Sequence, residues 1–172
     1  MHSSNKMKRD KESFLAILEQ HKLIVFKVCN SYCRDKEDQK DLVQEVIIQL
    51  WSGFEKYDEQ FKLSTWIYRI ALNTAISYYR KSNTRNRHFT PLDSDFIEIT
   101  EEETINYSDE VKLLRQFINQ LDDLNRALMI LYLDDHSHEE IARILNVSKS
   151  NVGTKINRIK DKLRNQFKNI KA

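Results

Sequence analysis

An all-α protein of two small helical domains joined by an acidic linker is what this sequence predicts, on three observations. Glycine and proline are scarce, with 2 Gly and 1 Pro in 172 residues; a sheet of many strands would need more of these turn residues, and long helices would not. Every strong run of apolar residues repeats at intervals of three and four, the period of a helix with one buried face. Charge is segregated as well. Residues 1–90 hold 16 Lys and Arg against 11 Asp and Glu, residues 91–110 hold 8 acids and no base, and residues 111–172 hold 12 bases against 7 acids. Two basic lobes around an acidic strap suggest a polyanionic partner.

In the first lobe, Phe14, Ile17, Leu18, Ile24, Val25, Val28, Cys29 and Tyr32 line one face of a helix over Ser13–Cys33. Asp35 reads as the N-cap of a second helix, with Leu42, Val43, Val46, Leu50 and Trp51 inward and its end near Gly53. After a connection over Glu55–Leu63, Ser64 or Thr65 can cap a third helix whose inward face is Trp66, Ile70, Ala71, Thr74 and Tyr78. Arg80, Lys81, Arg85 and Arg87 crowd its far end, where cations complement the helix dipole. From Asn83 the periodicity fades, and the Pro91 stretch that follows, with Asp93, Asp95, Glu98 and Glu101 to Glu103, reads as a mobile tether. Its negative charge is expected to screen the basic lobes.

The second lobe begins near Asp109. Val111, Leu114, Phe117, Ile118 and Leu121 form one helix, and Leu124, Leu128, Met129, Leu131 and Tyr132 another. Ser137 with Glu140 then makes a capping box opening a short helix, His138–Leu145, with Ile141, Ala142 and Leu145 inward. Asn146 tolerates the left-handed backbone that ends a helix, Val147 plugs the turn, and Ser148 caps a longer helix with Val152, Ile156, Ile159, Leu163 and Phe167 on one face. Cap, short helix, turn, cap and longer helix make a helix-turn-helix. Ser150, Asn151, Thr154, Asn157 and Arg158 project from the other face, short polar groups and one Arg able to bond base edges. Lys149, Lys155, Lys160, Lys162 and Arg164 flank them as candidate phosphate contacts.

The block Asp41-Leu-Val-Gln-Glu-Val-Ile-Ile-Gln-Leu-Trp51 resembles region two of the sigma-70 family, and Phe61-Lys-Leu-Ser-Thr-Trp-Ile-Tyr-Arg-Ile-Ala-Leu-Asn73 resembles the adjoining promoter-opening segment. The second lobe is similar to region four. With these two regions alone, the chain resembles the extracytoplasmic-function group. The resemblance implies region two over residues 12–88, a linker over 89–108 and region four over 109–172. It implies three partners: core RNA polymerase, promoter DNA and an anti-sigma factor. Polymerase is to be held by Asp41, Leu42, Gln44, Glu45, Ile48 and Trp51. The minus-ten element falls to Lys62, Ser64, Thr65, Trp66, Arg69 and Asn73, with Tyr78, Tyr79, Arg80 and Lys81 on the backbone. The minus-thirty-five element falls to Lys149, Ser150, Asn151, Thr154, Lys155, Asn157 and Arg158.

Trp66 borders DNA in that family, while its helical spacing equally makes it core. Ile67 replaces the second tryptophan of larger relatives, which implies weaker melting and stricter promoter choice. Leu63 stands where an aromatic is often found, Asn151 where Thr is, and Gly153 where a basic residue is common; a Gly costs helix stability relative to Ala, and Gly153 either lets the backbone approach DNA closely or weakens binding.

Other chemistries lack their residues. Cys29, Cys33 and His21 lie on an apolar helical face without the second cysteine pair of a metal site, so no metal or cofactor is expected. His136 and His138 sit at a helix start and read as solvent-exposed. No isolated carboxylate pair or Gly-rich phosphate loop points to an enzyme. A free-standing DNA-binding regulator would have no reason to carry the Asp41–Trp51 block. No apolar run is long enough for membrane insertion, and Met1 to Lys11 lacks the apolar core of a secretory signal, so a cytoplasmic location is expected.

Overall fold

The computed structural model describes residues 7–85 and 108–171. Seven helices cover them: α1 Lys11–Tyr32, α2 Lys36–Phe54, α3 Leu63–Arg85, α4 Asp109–Gln120, α5 Asp123–Leu133, α6 His138–Leu145 and α7 Lys149–Lys171. The linker over 89–108 lies outside the described residues except for Ser108, which caps α4 by accepting from the Val111 N–H.

Helix starts follow side-chain chemistry. Asp10 accepts from the Ser13 N–H at the head of α1, and Asp35 accepts from the N–H groups of Glu37 and Asp38 at the head of α2. The expected cap of α3 is corrected. That helix already begins at Leu63, and the first bond is donated by the Trp66 N–H to the Lys62 carbonyl at 3.1 Å. Ser64 and Thr65 are therefore in its first turn.

In the first lobe α3 packs on α1 and α2. Val28, Cys29, Leu42, Val46, Leu50, Phe54, Ala71, Leu72 and Ala75 are all but closed to solvent. Cys29 and Cys33 are buried free thiols; burial pushes them up to about 12 and about 11, which keeps both protonated. The expected inward face of α3 is corrected, since Ala71 alone of its five residues is fully buried. Ile67, Tyr68, Ala71, Leu72 and Ala75 are its buried residues, while Trp66, Ile70, Thr74 and Tyr78 are half-buried. The physical reason is that α3 is covered from two sides, by α1 and α2 and by α5 and α6 of the second lobe.

The two lobes meet along a polar seam over a shared core. Its centre is Arg126, 5 % exposed, which donates to the carbonyls of Ser31 at 3.1 Å, Asn119 at 2.7 Å and Leu121 at 3.1 Å. The guanidinium also lies 5.2 Å from the Tyr32 ring centre and 5.3 Å from that of Tyr79. Tyr32 donates to the Asp123 carbonyl at 2.6 Å, and Arg80 reaches the Asp123 carboxylate at 2.6 Å. Asp134 receives both the Tyr68 hydroxyl and the Lys27 ammonium. Burial pushes the Asp134 carboxyl up, but those two donors outweigh it and hold it below the ordinary carboxylate range.

Candidate nucleic-acid interface

The helix-turn-helix forms as its local chemistry dictates. Ser137 Oγ accepts from the Glu140 N–H at 3.2 Å while the Glu140 carboxylate accepts from the Ser137 N–H at 3.0 Å. Asn146 ends α6 in the left-handed region at φ 55°, and the Val147 N–H closes the turn on the Ala142 carbonyl at 3.1 Å. Ser148 Oγ accepts from the Asn151 N–H at 3.2 Å, so α7 starts where its cap stands. Ile141, Ile144, Val152, Ile156 and Ile159 are buried between the helices.

The reading face of α7 projects outward. Lys149, Ser150, Asn151, Thr154, Asn157 and Arg158 are exposed, and Lys155 is half-exposed beside them. Two flanking cations are otherwise engaged. Lys160 lies 5.5 Å over the Tyr132 ring and 3.3 Å from its hydroxyl, and Arg164 pairs with Asp161 at 3.0 Å. At Gly153 a Cβ would meet the His138 ring at 3.6 Å, so the bare side of this residue faces the start of α6. The two histidines are likewise half-buried rather than exposed, with His136 edge-on to the Tyr68 ring at 5.0 Å.

On α2, Asp41, Gln44, Ile48 and Trp51 are exposed and Glu45 half-exposed, on the face opposite Val46 and Leu50. Leu42 is fully buried, so it anchors that face from beneath. Trp51 is 46 % exposed although its ring packs edge-on against Phe14 at 5.0 Å. A large aromatic that is fixed by the core yet half open to solvent suits an interface anchor.

The connection over residues 55–62 and the start of α3 form the third surface. Tyr57 is buried, stacks at a tilt on Trp66 at 5.1 Å, and donates its hydroxyl to the Phe61 carbonyl at 2.5 Å. Trp66 is thus half-buried against Phe54 and Tyr57 while keeping an edge in solvent. Arg69 and Asn73 are exposed, and Ser64 and Thr65 are half-exposed. Asn73 lines an open groove of about 380 Å³ with Gln49, Ser52, Gly53, Lys56, Ile70 and Thr74. Lys62 is exposed but pairs with Glu140 of α6 at 3.2 Å, and Arg80 with Asp123, so both face the second lobe. Tyr79 joins Arg126 in the seam instead of pointing to open solvent.

Sequence reasoning missed Tyr57, gave Phe61 no role beyond opening its block, and missed Arg9, which reaches this connection from before α1. Aromatic residues alternating with charges through a short polar stretch were the available signal for the first two.

Comparison with known proteins agrees with this layout. The sequence profile described as Sigma-70 region 2 matches residues 17–85, and that described as Sigma-70, region 4 matches residues 112–163. The ECF RNA polymerase sigma factor SigW of Bacillus subtilis is 26% identical over 95% of this chain and 93% of its own length. The ECF RNA polymerase sigma-E factor of Haemophilus influenzae is 25% identical over 92% of this chain and 89% of its own. Among solved structures, CnrH in complex with the cytosolic domain of CnrY superposes with a TM-score of 0.65 at 19% identity, covering 92% of this chain and 90% of that one. The sigma factor RpoE in complex with the anti-sigma factor NepR from Bartonella quintana gives 0.66 at 19%, covering 92% and 96%.

Proposed function

The chain belongs to the sigma-70 family, in the extracytoplasmic-function group of RNA polymerase sigma factors, and from that premise we propose how its residues divide the work of transcription initiation. A sigma factor carries out no catalysis; it binds core polymerase and directs it to promoters. Region two, over residues 12–88, docks on polymerase through the α2 face of Asp41, Gln44, Glu45, Ile48 and Trp51, with Leu42 beneath it. Lys62, Ser64, Thr65, Trp66, Arg69 and Asn73 engage the minus-ten element and help to open it. The open groove beside Asn73 supports this, because an unstacked base needs a recess to enter.

Region four, over residues 109–172, reads the minus-thirty-five element through Ser150, Asn151, Thr154, Asn157 and Arg158, with Lys149 and Lys155 on phosphates. The acidic linker over 89–108 connects the two and screens them. Neutralising Glu101 to Glu103 should then raise DNA affinity in the absence of polymerase. An anti-sigma factor is a further partner, supported by the solved relative RpoE, which is in complex with the anti-sigma factor NepR. No helix among the described residues is long and apolar enough to cross a membrane, and the cytoplasm is where polymerase would be met.

The exposed α2 face carries this reading, since Asp41, Gln44 and Ile48 lie outside the core and Trp51, though packed on Phe14, stays 46 % exposed beside them. Core polymerase stripped of its own sigma, mixed with this chain, should transcribe from specific promoters. Replacing Asp41, Gln44 and Ile48 together by Ala should abolish binding to core without altering the helical spectrum. A chain that binds one operator tightly by itself and leaves core enzyme unprogrammed would be a stand-alone regulator instead.

A further inference from the structure

Arg9 lies before α1, outside both matched regions, yet its side chain ends in the connection between α2 and α3. One guanidinium nitrogen donates to the Phe54 carbonyl at 3.1 Å, and another to the Tyr57 carbonyl at 2.8 Å and the Glu59 carboxylate at 3.1 Å. The same group lies 5.2 Å from the ring centres of both Phe54 and Tyr57. Its side chain is only 18% exposed. The Met7 N–H adds a bond to the same Glu59 carboxylate at 3.1 Å.

These contacts address a specific physical problem. At the end of α2 the Gly53 and Phe54 carbonyls accept only tight-turn bonds, from the N–H groups of Lys56 at 3.1 Å and Tyr57 at 3.3 Å, and the chain beyond them must turn to start α3 at Leu63. Arg9 satisfies one carbonyl at the helix end and one inside the connection with a single planar fork. That fork fixes the angle at which the chain leaves α2. Arg alone presents a rigid planar fork here: the Lys ammonium is a point charge with rotatable donors and cannot hold the two carbonyls and the carboxylate in one fixed plane. Tyr57, held in this way, is in turn the partner of Trp66 and of the Phe61 carbonyl. The chain of contacts therefore runs from Arg9 to both ends of the connection and to the first turn of α3.

We propose that Arg9 is a positioning residue for minus-ten reading: it locks the 55–62 connection so that Phe61, Lys62 and Trp66 meet the opening strand in one geometry. This rests on the reading that the connection and α3 handle the minus-ten element. A pre-set surface spends no binding energy on ordering itself when the bases unstack, so its loss appears in strand opening rather than in docking.

The test uses holoenzyme reconstituted from core RNA polymerase and the full chain, on promoters the wild-type holoenzyme selects from a randomised library. Arg9→Gln removes charge and fork; Arg9→Lys keeps the charge and the stem over the rings, and so keeps the fold. Both should slow strand opening, followed by permanganate reactivity of unpaired thymines, about tenfold. Both should also flatten the preference between matched and singly altered minus-ten elements. Core affinity and binding to a promoter bearing only the minus-thirty-five element should not change. Wild-type opening and preference in Arg9→Lys would overturn the proposal, as would a loss of core affinity by the same factor as opening. Asn73→Ala, run in parallel, separates the two levels. If it alters minus-ten preference while both Arg9 variants do not, Arg9 is dispensable and this inference alone falls. If Asn73→Ala and Lys62→Ala also leave preference intact, the reading beneath it falls too.

Discussion

Gly153 sits inside α7 with its open side toward the His138 ring, and a methyl there would make ordinary van der Waals contact at 3.6 Å. Gly153→Ala should therefore stabilise the chain by about 1 kcal/mol through helix propensity. Calorimetry should show this as a rise in Tm of about 2–4 °C for a chain of this size, with minus-thirty-five binding unchanged. Lost DNA affinity would mean that the position faces the groove after all. On the outward face, Arg158→Ala should cost about 1–3 kcal/mol at one base position and relax specificity there. Lys155→Ala should weaken all sequences alike and reduce the salt slope by about 0.9. The reading face was legible because exposure alternates with the Val152, Ile156, Ile159 stripe at helical period. Lys160 was not legible, since its engagement depends on Tyr132, which stands 28 residues away on another helix.

Helix boundaries were the most legible feature at the scale of elements, because each is set by residues within four positions of it. Asp35, Ser137 with Glu140, Asn146 and Ser148 all do what their side chains allow. Ser137→Ala removes half of the capping box and should destabilise by about 1 kcal/mol in urea titrations, with the slope unchanged. An unaltered midpoint would show that the Glu140 half suffices. At α3 the local reading failed: Ser64 and Thr65 look like caps, yet the helix starts at Leu63, with the Lys62 carbonyl accepting from the Trp66 N–H. The second buried face of α3 was invisible for a related reason. Tyr68 reads as an outward tyrosine until its partner Asp134, 66 positions later, is brought against it.

For the whole molecule, the seam sets the working cycle. The two promoter elements are about 25 base pairs apart, roughly 85 Å of duplex at about 3.4 Å per step. Here α3 contacts α5 and α6 directly, so under the proposed division of the two elements the lobes must part before both are held. The 22 residues from 86 to 107 reach at most about 75 Å when extended, enough with the lobes' own width to span that distance. Asp134→Asn should loosen the closed form by weakening the bonds from Lys27 and Tyr68, and small-angle scattering should report a larger radius of gyration. Acid should act in the same direction. A carboxyl held low in the folded chain contributes stability above its unfolded pKa and loses it as pH falls through the folded value. Expansion on acidification should therefore be smaller in Asp134→Asn. None of this was legible, because periodicity reports that a face is buried and not what buries it.

The α2 face lies apart from that seam: α2 packs on α1 and α3, and no seam bond described above starts or ends on it. If α2 is the docking face as proposed, encounter and unfurling become separable in time. The enzyme can seize the folded-up protein first and pull it open afterwards. Stopped-flow mixing should then resolve a fast phase proportional to enzyme concentration and a slower one that ignores it.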